Sequence, residues 1–143
     1  MYMHNRLREP GGIELAGTPI DLGKVKVPTY FASAIEDHIA PWVSCYKGSR
    51  YLGGPVRFVL GGSGHIAGII NPPDRKKYGY RLNDDSNLEP DAWLSGAEEF
   101  EGSWWPDWVA WAAKFGGGKV KARKAGEGNL RVIEPAPGAY VQN

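Results

Sequence analysis

Asp37 and His65 are the first residues to weigh for chemistry, and they stand 28 residues apart. Each follows a short apolar run: Thr29-Tyr30-Phe31-Ala32-Ser33-Ala34-Ile35 before the acid and Val56-Arg57-Phe58-Val59-Leu60 before the histidine. An imidazole works as a general base when one nitrogen faces a nucleophile and a carboxylate holds the other, fixing the tautomer and stabilising the imidazolium. An acid and then a histidine, each on a loop after a strand, is an order known to deliver that geometry. The glycines around His65, in Gly61-Gly62-Ser63-Gly64 and at Gly68, let the backbone turn sharply and present the ring. Spacing alone leaves a second reading open, with Asp37 as a turn residue and His65 as a loop histidine serving a local hydrogen bond.

The elements that must position this pair can be read from punctuation and periodicity. The two apolar runs have the length and composition of buried parallel strands. Between them Glu36 to Pro41 reads as a loop. Pro41 stands at the first position of a helix expected over Trp42 to about Leu52 and stopped by Gly53-Gly54. Strand, loop, helix, strand and loop make a βαβ unit, which places Asp37 and His65 on the same edge of a parallel sheet. Upstream, Glu14-Leu15-Ala16 and Pro19-Ile20-Asp21 flank Gly17-Thr18 as a small hairpin. Downstream of Asn71-Pro72-Pro73 the chain reads as polar and irregular to Asn87. Pro90 then opens a short helix from Asp91 to about Ala97, and Trp104, Trp105, Trp108 and Trp111 begin another that ends at Gly116-Gly117-Gly118. Positions 104, 108 and 111 share one face. Lys114 to Gly128, basic and glycine-rich, reads as a mobile linker. Leu130-Arg131-Val132-Ile133 is expected as a late edge strand, and no internal repeat is visible.

Composition narrows the function classes. A chain of 143 residues suits one domain, and six tryptophans among 12% aromatic residues supply core-forming bulk despite 42% apolar content. Glycine (20) and proline (11) together exceed a fifth of the chain, which favours many turns. With 17 basic and 16 acidic residues the net charge is +1, which gives no reason to expect nucleic acid or an acidic membrane as partner. The single cysteine, Cys45, cannot form an internal disulfide and fits a reducing compartment. The start, Met1-Tyr2-Met3-His4-Asn5-Arg6, lacks the apolar core of a signal peptide, and no apolar run reaches the length of a membrane span. A cytoplasmic location is expected.

The remaining candidates carry less. Three scattered histidines and one cysteine do not give metal-ligand spacing. Gly61-Gly62-Ser63-Gly64 lacks the Gly-Lys-Ser/Thr ending of a phosphate loop. His38, beside Asp37, reads as a structural or exposed neighbour, and His4 as solvated. The tryptophans at helical spacing read as core packing, with room for one exposed ring to touch an apolar ligand. The basic stretch Lys119-Val120-Lys121-Ala122-Arg123-Lys124 reads as a solvated linker.

Long strings from Glu36 to Trp42, Gly54 to Pro73, Gly102 to Trp108 and Glu134 to Val141, together with Asn5 to Gly11, resemble the polyhydroxyalkanoate synthases, most closely the class I branch. Glu36-Asp37-His38-Ile39-Ala40-Pro41-Trp42 is similar to their acid loop. Gly54-Pro55-Val56-Arg57-Phe58-Val59-Leu60-Gly61-Gly62-Ser63-Gly64-His65-Ile66-Ala67-Gly68-Ile69-Ile70-Asn71-Pro72-Pro73 is similar to their histidine strand and loop. Gly102-Ser103-Trp104-Trp105-Pro106-Asp107-Trp108 and Glu134-Pro135-Ala136-Pro137-Gly138-Ala139-Tyr140-Val141 resemble their C-terminal signatures, and Asn5-Arg6-Leu7-Arg8-Glu9-Pro10-Gly11 also fits.

The resemblance implies the C-terminal portion of an α/β-hydrolase fold, incomplete, with residues 1–115 in the catalytic domain and 116–143 as a basic, glycine-rich linker and tail. It implies an acyltransferase that joins 3-hydroxyacyl groups from coenzyme A thioesters into a polyester, using a Cys-His-Asp triad. His65 would be the general base, and Asp37 would orient it and, in some family schemes, help activate the incoming hydroxyl. No cofactor is implied, since coenzyme A arrives as the thioester substrate. A homodimer in the full-length form and association with the polymer granule are also implied, with no nucleic acid and no membrane span. The family's Gly-x-Cys-x-Gly nucleophile elbow does not occur in this sequence, and Cys45 lies between Asp37 and His65, out of order for that role. The segment 5–11 resembles family sequence from inside a longer chain. Met1 is therefore expected to lie within a domain, and the isolated chain to be inactive and marginally stable. The competing expectations are a non-catalytic truncated paralogue that binds a synthase or granule, and part of a related hydrolase such as a depolymerase.

Overall fold

Thr29–Ala34 (β3) and Val56–Gly61 (β4) are the strands expected on either side of the acid loop, and they pair in parallel from Thr29 opposite Val56 to Ala34 opposite Gly61. The computed structural model describes residues 3–142, so the expectation about Met1 lies outside the described residues. Before these strands comes the expected hairpin, Glu14–Leu15 (β1) against Thr18–Pro19 (β2). Its two-residue turn puts both Ala16 (φ 48°) and Gly17 (φ 75°) in the left-handed region, the backbone twist that matches flanking strands.

Helix α1 (Trp42–Ser49) connects β3 to β4. Pro41 caps it from just outside rather than occupying its first turn, and the helix ends at Ser49, short of the expected Leu52. Tyr46 and Ser49, on its inward face, are buried; the Ser49 hydroxyl donates to the Tyr46 carbonyl one turn back and closes the helix end.

Two further strands extend the sheet where the sequence reads as irregular or carries no element. Tyr80–Leu82 (β5) pairs antiparallel with β4, and Glu98–Phe100 (β6) pairs antiparallel with β5. The order is β3-β4-β5-β6, so the sheet is parallel only at its first pair. Three-residue strands leave too little periodicity to detect. Their stability comes from cross-strand partners: Arg81 opposite Glu99 forms an ion pair, and Tyr80 stacks on Phe100 at 5.0 Å.

Alternation along β3 and β4 sorts the sheet faces. Phe31, Phe58 and Leu60 face α1 and the short helix α2 (Pro90–Ser95). There Tyr46, Phe58 and Trp93 meet edge to face or tilted at 5.1–5.4 Å and are almost wholly buried. Their polar atoms are satisfied. The Tyr46 hydroxyl donates to the Leu88 and Ser86 carbonyls, the Trp93 indole N–H donates to the Asn83 carbonyl, and the Asn83 amide donates back to the Trp93 carbonyl.

Tyr30 and Arg57, register partners on the opposite face, meet helix α3 (Trp105–Ala113). Arg57 donates twice to Asp107, at 2.6 and 2.9 Å, and the Tyr30 hydroxyl donates to the same carboxylate at 2.7 Å. Arg57 holds the Asp107 carboxyl below its ordinary range against the opposing effect of burial, and burial together with Asp107 raises the Tyr30 phenol far above its own. Asp107 is 17% exposed, and removing it leaves the half-covered Arg57 guanidinium with only the exposed Asp84 carboxylate, at 3.3 Å. Asp107→Ala is expected to cost about 2 kcal/mol, between surface and buried ion pairs. A urea midpoint unchanged from the parent chain would show the pair to be a surface ornament.

Beyond α3 the chain runs exposed and without a strand to Pro137. The expected edge strand at Leu130–Ile133 does not form, and Leu130, Val132 and Ile133 are exposed. A β-prone run becomes a strand only against a partner edge, and this one follows a glycine- and lysine-rich stretch that docks nowhere along the sheet.

Candidate active site

The strand ends deliver the expected pair. Past β3, Ile35 continues the ladder by donating to the Gly61 carbonyl, and Glu36 donates to Ser63 in the next loop. The acid loop and the histidine loop are therefore tied together one residue before Asp37. Asp37 then spends one carboxylate oxygen locally: Oδ1 accepts from the backbone N–H groups of Ile39 and Ala40, both at 2.9 Å. Oδ2 is left facing the next loop, where it lies 2.8 Å from Nδ1 of His65. A carboxylate only accepts, so the ring proton sits on Nδ1 and Nε2 carries the free lone pair.

The Asp37 carboxyl is drawn down to about 2, chiefly by the Ala40 N–H, then by His65, with burial opposing and the Ile39 N–H assisting. Its side chain is 7% exposed, and its hydrogen-bond donors outweigh the opposing effect of burial. A carboxyl lowered on folding lends stability above its unfolded value of 3.8 and loses it as pH falls towards 2. The stability gap between the parent and Asp37→Asn is accordingly expected to shrink as pH drops through that window. A gap independent of pH between 5 and 2 would contradict the Asp37 contacts. His65 is 46% exposed, so the acid is covered while the imidazole reaches the surface.

Glycines shape the histidine loop by close approach. Gly62 donates to the Gly79 carbonyl at 2.7 Å, and Gly68 donates back to Gly64 at 2.9 Å, folding the loop over β4. A Cβ at Gly68 would lie 2.5 Å from Cβ of Ala34 and 2.6 Å from the Gly62 carbonyl oxygen, neither of which can swing aside. Gly68→Ala is expected to cost roughly 1–3 kcal/mol by overpacking and to displace the loop that carries His65. An unchanged melting temperature would show that the loop has slack.

The tryptophans on and before α3 depart from the expected core role. No residue of α3 is fully buried, and Trp108 is 45% exposed. Trp104, Trp105 and Trp108 join Ile69 and Ile70 around an apolar cleft of about 290 Å³. The Trp104 indole N–H donates to the Gly68 carbonyl and the Trp105 indole N–H to the Ile69 carbonyl, both at 3.0 Å. Adjacent tryptophans are the only sequence signal for these bonds, and it does not name the partner.

His38 is exposed beside Asp37, and His4 is exposed near the start. Cys45 is half-buried on α1, a free thiol 3.7 Å from the Ala40 carbonyl. Among the described residues no cluster of histidine, cysteine and carboxylate could hold a metal ion, and no helix is long and apolar enough to cross a membrane.

No protein-family model matches the chain. Individual relatives do. Over 143 residues it is 49% identical to a poly(3-hydroxyalkanoate) polymerase subunit of Cupriavidus necator, covering 99% of this chain and 24% of that protein. In sequence the chain matches a segment of the poly(3-hydroxyalkanoate) polymerases. The polymerase subunit of Rhizobium meliloti is 48% identical over 141 residues, with 99% of this chain and 23% of that protein covered. Polymerase 2 of Ectopseudomonas oleovorans is 44% identical over 138 residues, covering 96% and 25%. The chain thus spans about a quarter of the length of the curated polymerases it matches. The acid loop, the histidine loop and α3 all fall inside the segment shared with these polymerases.

Proposed function

We propose that this chain is the acid- and histidine-bearing part of the catalytic domain of a polyhydroxyalkanoate-forming acyltransferase, with His65 as general base and Asp37 as the residue that orients it. The 2.8 Å bond between His65 Nδ1 and Asp37 Oδ2 carries the reading, together with the near full-length similarity to the polymerases. Two successive parallel strands, each ending in one member of the pair, support an α/β-hydrolase origin for the sheet. Residues 1–115 then belong to the catalytic domain and 116–143 form a linker and tail.

The nucleophile is a cysteine thiol supplied from outside this sequence, since Cys45 sits on α1 without a Gly-x-Cys-x-Gly turn. His65 Nε2 takes the thiol proton as the sulfur attacks the carbonyl of a 3-hydroxyacyl-coenzyme A. A carbon–sulfur bond to the cysteine forms, the bond to coenzyme A breaks, and the imidazolium returns its proton to the departing thiolate. In the second half His65 takes the proton of a 3-hydroxyl group, whose oxygen attacks the cysteine-bound acyl carbon. An ester bond forms, the carbon–sulfur bond breaks, and the proton goes back to the cysteine. One ester is made for each coenzyme A released. Cytoplasmic, granule-associated homodimers are the setting proposed for the complete polymerase.

The test is coenzyme A release from 3-hydroxybutyryl-coenzyme A. The isolated chain is expected to release none. A full-length relative in which residues 1–143 replace the matching segment is expected to turn over. Release by the isolated chain, or a folded chimera without release, would overturn the assignment.

A further inference from the structure

We propose that Trp104 and Trp105 are positioning residues for His65, acting through the backbone of its loop. The inference rests on the proposed role of His65 as the general base.

The geometry that supports it is a lever. From Gly64 the loop winds into one helical turn, with Gly68 donating to Gly64 and both Ile69 and Ile70 donating to Ile66. His65 stands at the start of that turn, and the carbonyls of Gly68 and Ile69 emerge from its end. Those are the two carbonyls that receive the indole N–H groups, each at 3.0 Å. Rotation of the turn about its own axis swings the imidazole relative to Asp37, and the paired indole bonds oppose that rotation at the far end.

A lever needs a fixed support, and the start of α3 has one. Two residues after Trp105, Asp107 is gripped by Tyr30 and by Nε and Nη2 of Arg57. Tyr30 belongs to β3, which leads to Asp37, and Arg57 belongs to β4, which leads to His65. Trp104 also stacks on Tyr30, at 5.9 Å and 24° between planes. The brace is therefore referenced to both strands whose ends must stay in register for the carboxylate to meet the ring. The Ser103 hydroxyl accepts from the Trp105 N–H and sets the entry angle of the helix.

Phenylalanine at 104 or 105 keeps an aromatic ring and removes the N–H together with part of the indole's bulk, and the loss of bulk is shared by Trp111→Phe. Trp111 offers the control, because it packs edge-on against Tyr30 from α3 while its ring meets Phe115, away from the loop. The experiment uses the full-length chimera carrying residues 1–143, with active sites counted by titration of the nucleophilic thiol.

Trp104→Phe and Trp105→Phe are each expected to lower kcat per titrated site about 10-fold, and the double variant about 100-fold, with KM for 3-hydroxybutyryl-coenzyme A unchanged. Trp111→Phe is expected to reduce only the number of active sites. A double variant that keeps the parental kcat per site overturns the proposal, as does a rise in KM at constant kcat, which would make the indoles substrate contacts. Turnover in a His65→Ala chimera would instead remove the reading on which the brace rests, a result distinct from either.

Discussion

Asp37→Asn in a full-length enzyme carrying this segment is expected to reduce kcat about 10⁴-fold with little change in KM, the scale seen when a triad acid loses its charge but keeps its shape. The substituted side chain could still accept from Ile39 and Ala40 through its carbonyl oxygen, which in the parent is the role of Oδ1. The loop would therefore keep its form. The new amide nitrogen would then face His65 Nδ1 at the position of Oδ2, donor against donor. The ring must move its proton to Nε2 to accept that amide, and the nitrogen that should take a proton from the nucleophile is then already occupied. His65→Ala should match this loss or exceed it, because the base itself is gone. The measurement is coenzyme A release normalised to folded enzyme. An Asp37→Asn variant within about tenfold of the parent would show that the carboxylate does not govern the ring.

Trp93→Ala carries the largest expected cost in stability, about 3–5 kcal/mol. Trp93 is wholly buried and touches the aromatic rings of α1 and β4 together, with Phe58 at 5.3 Å and Tyr46 at 5.4 Å. It also closes the reciprocal pair of bonds with Asn83, so truncation leaves the Asn83 carbonyl short of its indole donor as well as opening a cavity. Among the described residues the core cluster has four fully or nearly fully buried members, and Trp93 is the largest of them. Urea unfolding followed by circular dichroism checks the value. A loss under about 1 kcal/mol would mean that α2 is not part of the cooperative core.

The parts of the fold legible in the sequence are those whose signal is local. β3, β4 and α1 announce themselves through continuous apolar runs and through Pro28, Pro41, Gly53-Gly54 and Pro55, each of which punctuates the backbone. The order of acid and histidine, and their placement past two neighbouring strands, follows from the same pattern and agrees with the observed 2.8 Å contact. What stayed hidden depends on partners distant in the chain. β5 and β6 are three residues each and exist because Arg81 finds Glu99 and Tyr80 finds Phe100. The spacing of Trp104, Trp108 and Trp111 gives a helix and a face, but it cannot say that two indoles will meet loop carbonyls rather than a core. Leu130–Ile133 shows the converse error, a run with strand composition and no edge to join. The double anchor on Asp37 was within reach, since an aspartate accepting from the amides two and three residues on is a common turn device.

The way Asp37 is tethered bears on how a catalytic cycle would be timed. A carboxylate with one oxygen saturated by loop amides and titrating near 2 has almost no appetite for a proton at neutral pH. That makes it a weaker proton acceptor than an ordinary carboxylate, and the proposed mechanism gives it the orienting role alone. Under the proposed mechanism all hydrogen traffic passes through a single ring, which carries one transferred proton at a time on Nε2. Loading of a monomer and extension of the chain would have to alternate, with coenzyme A fully discharged before the next ester is made.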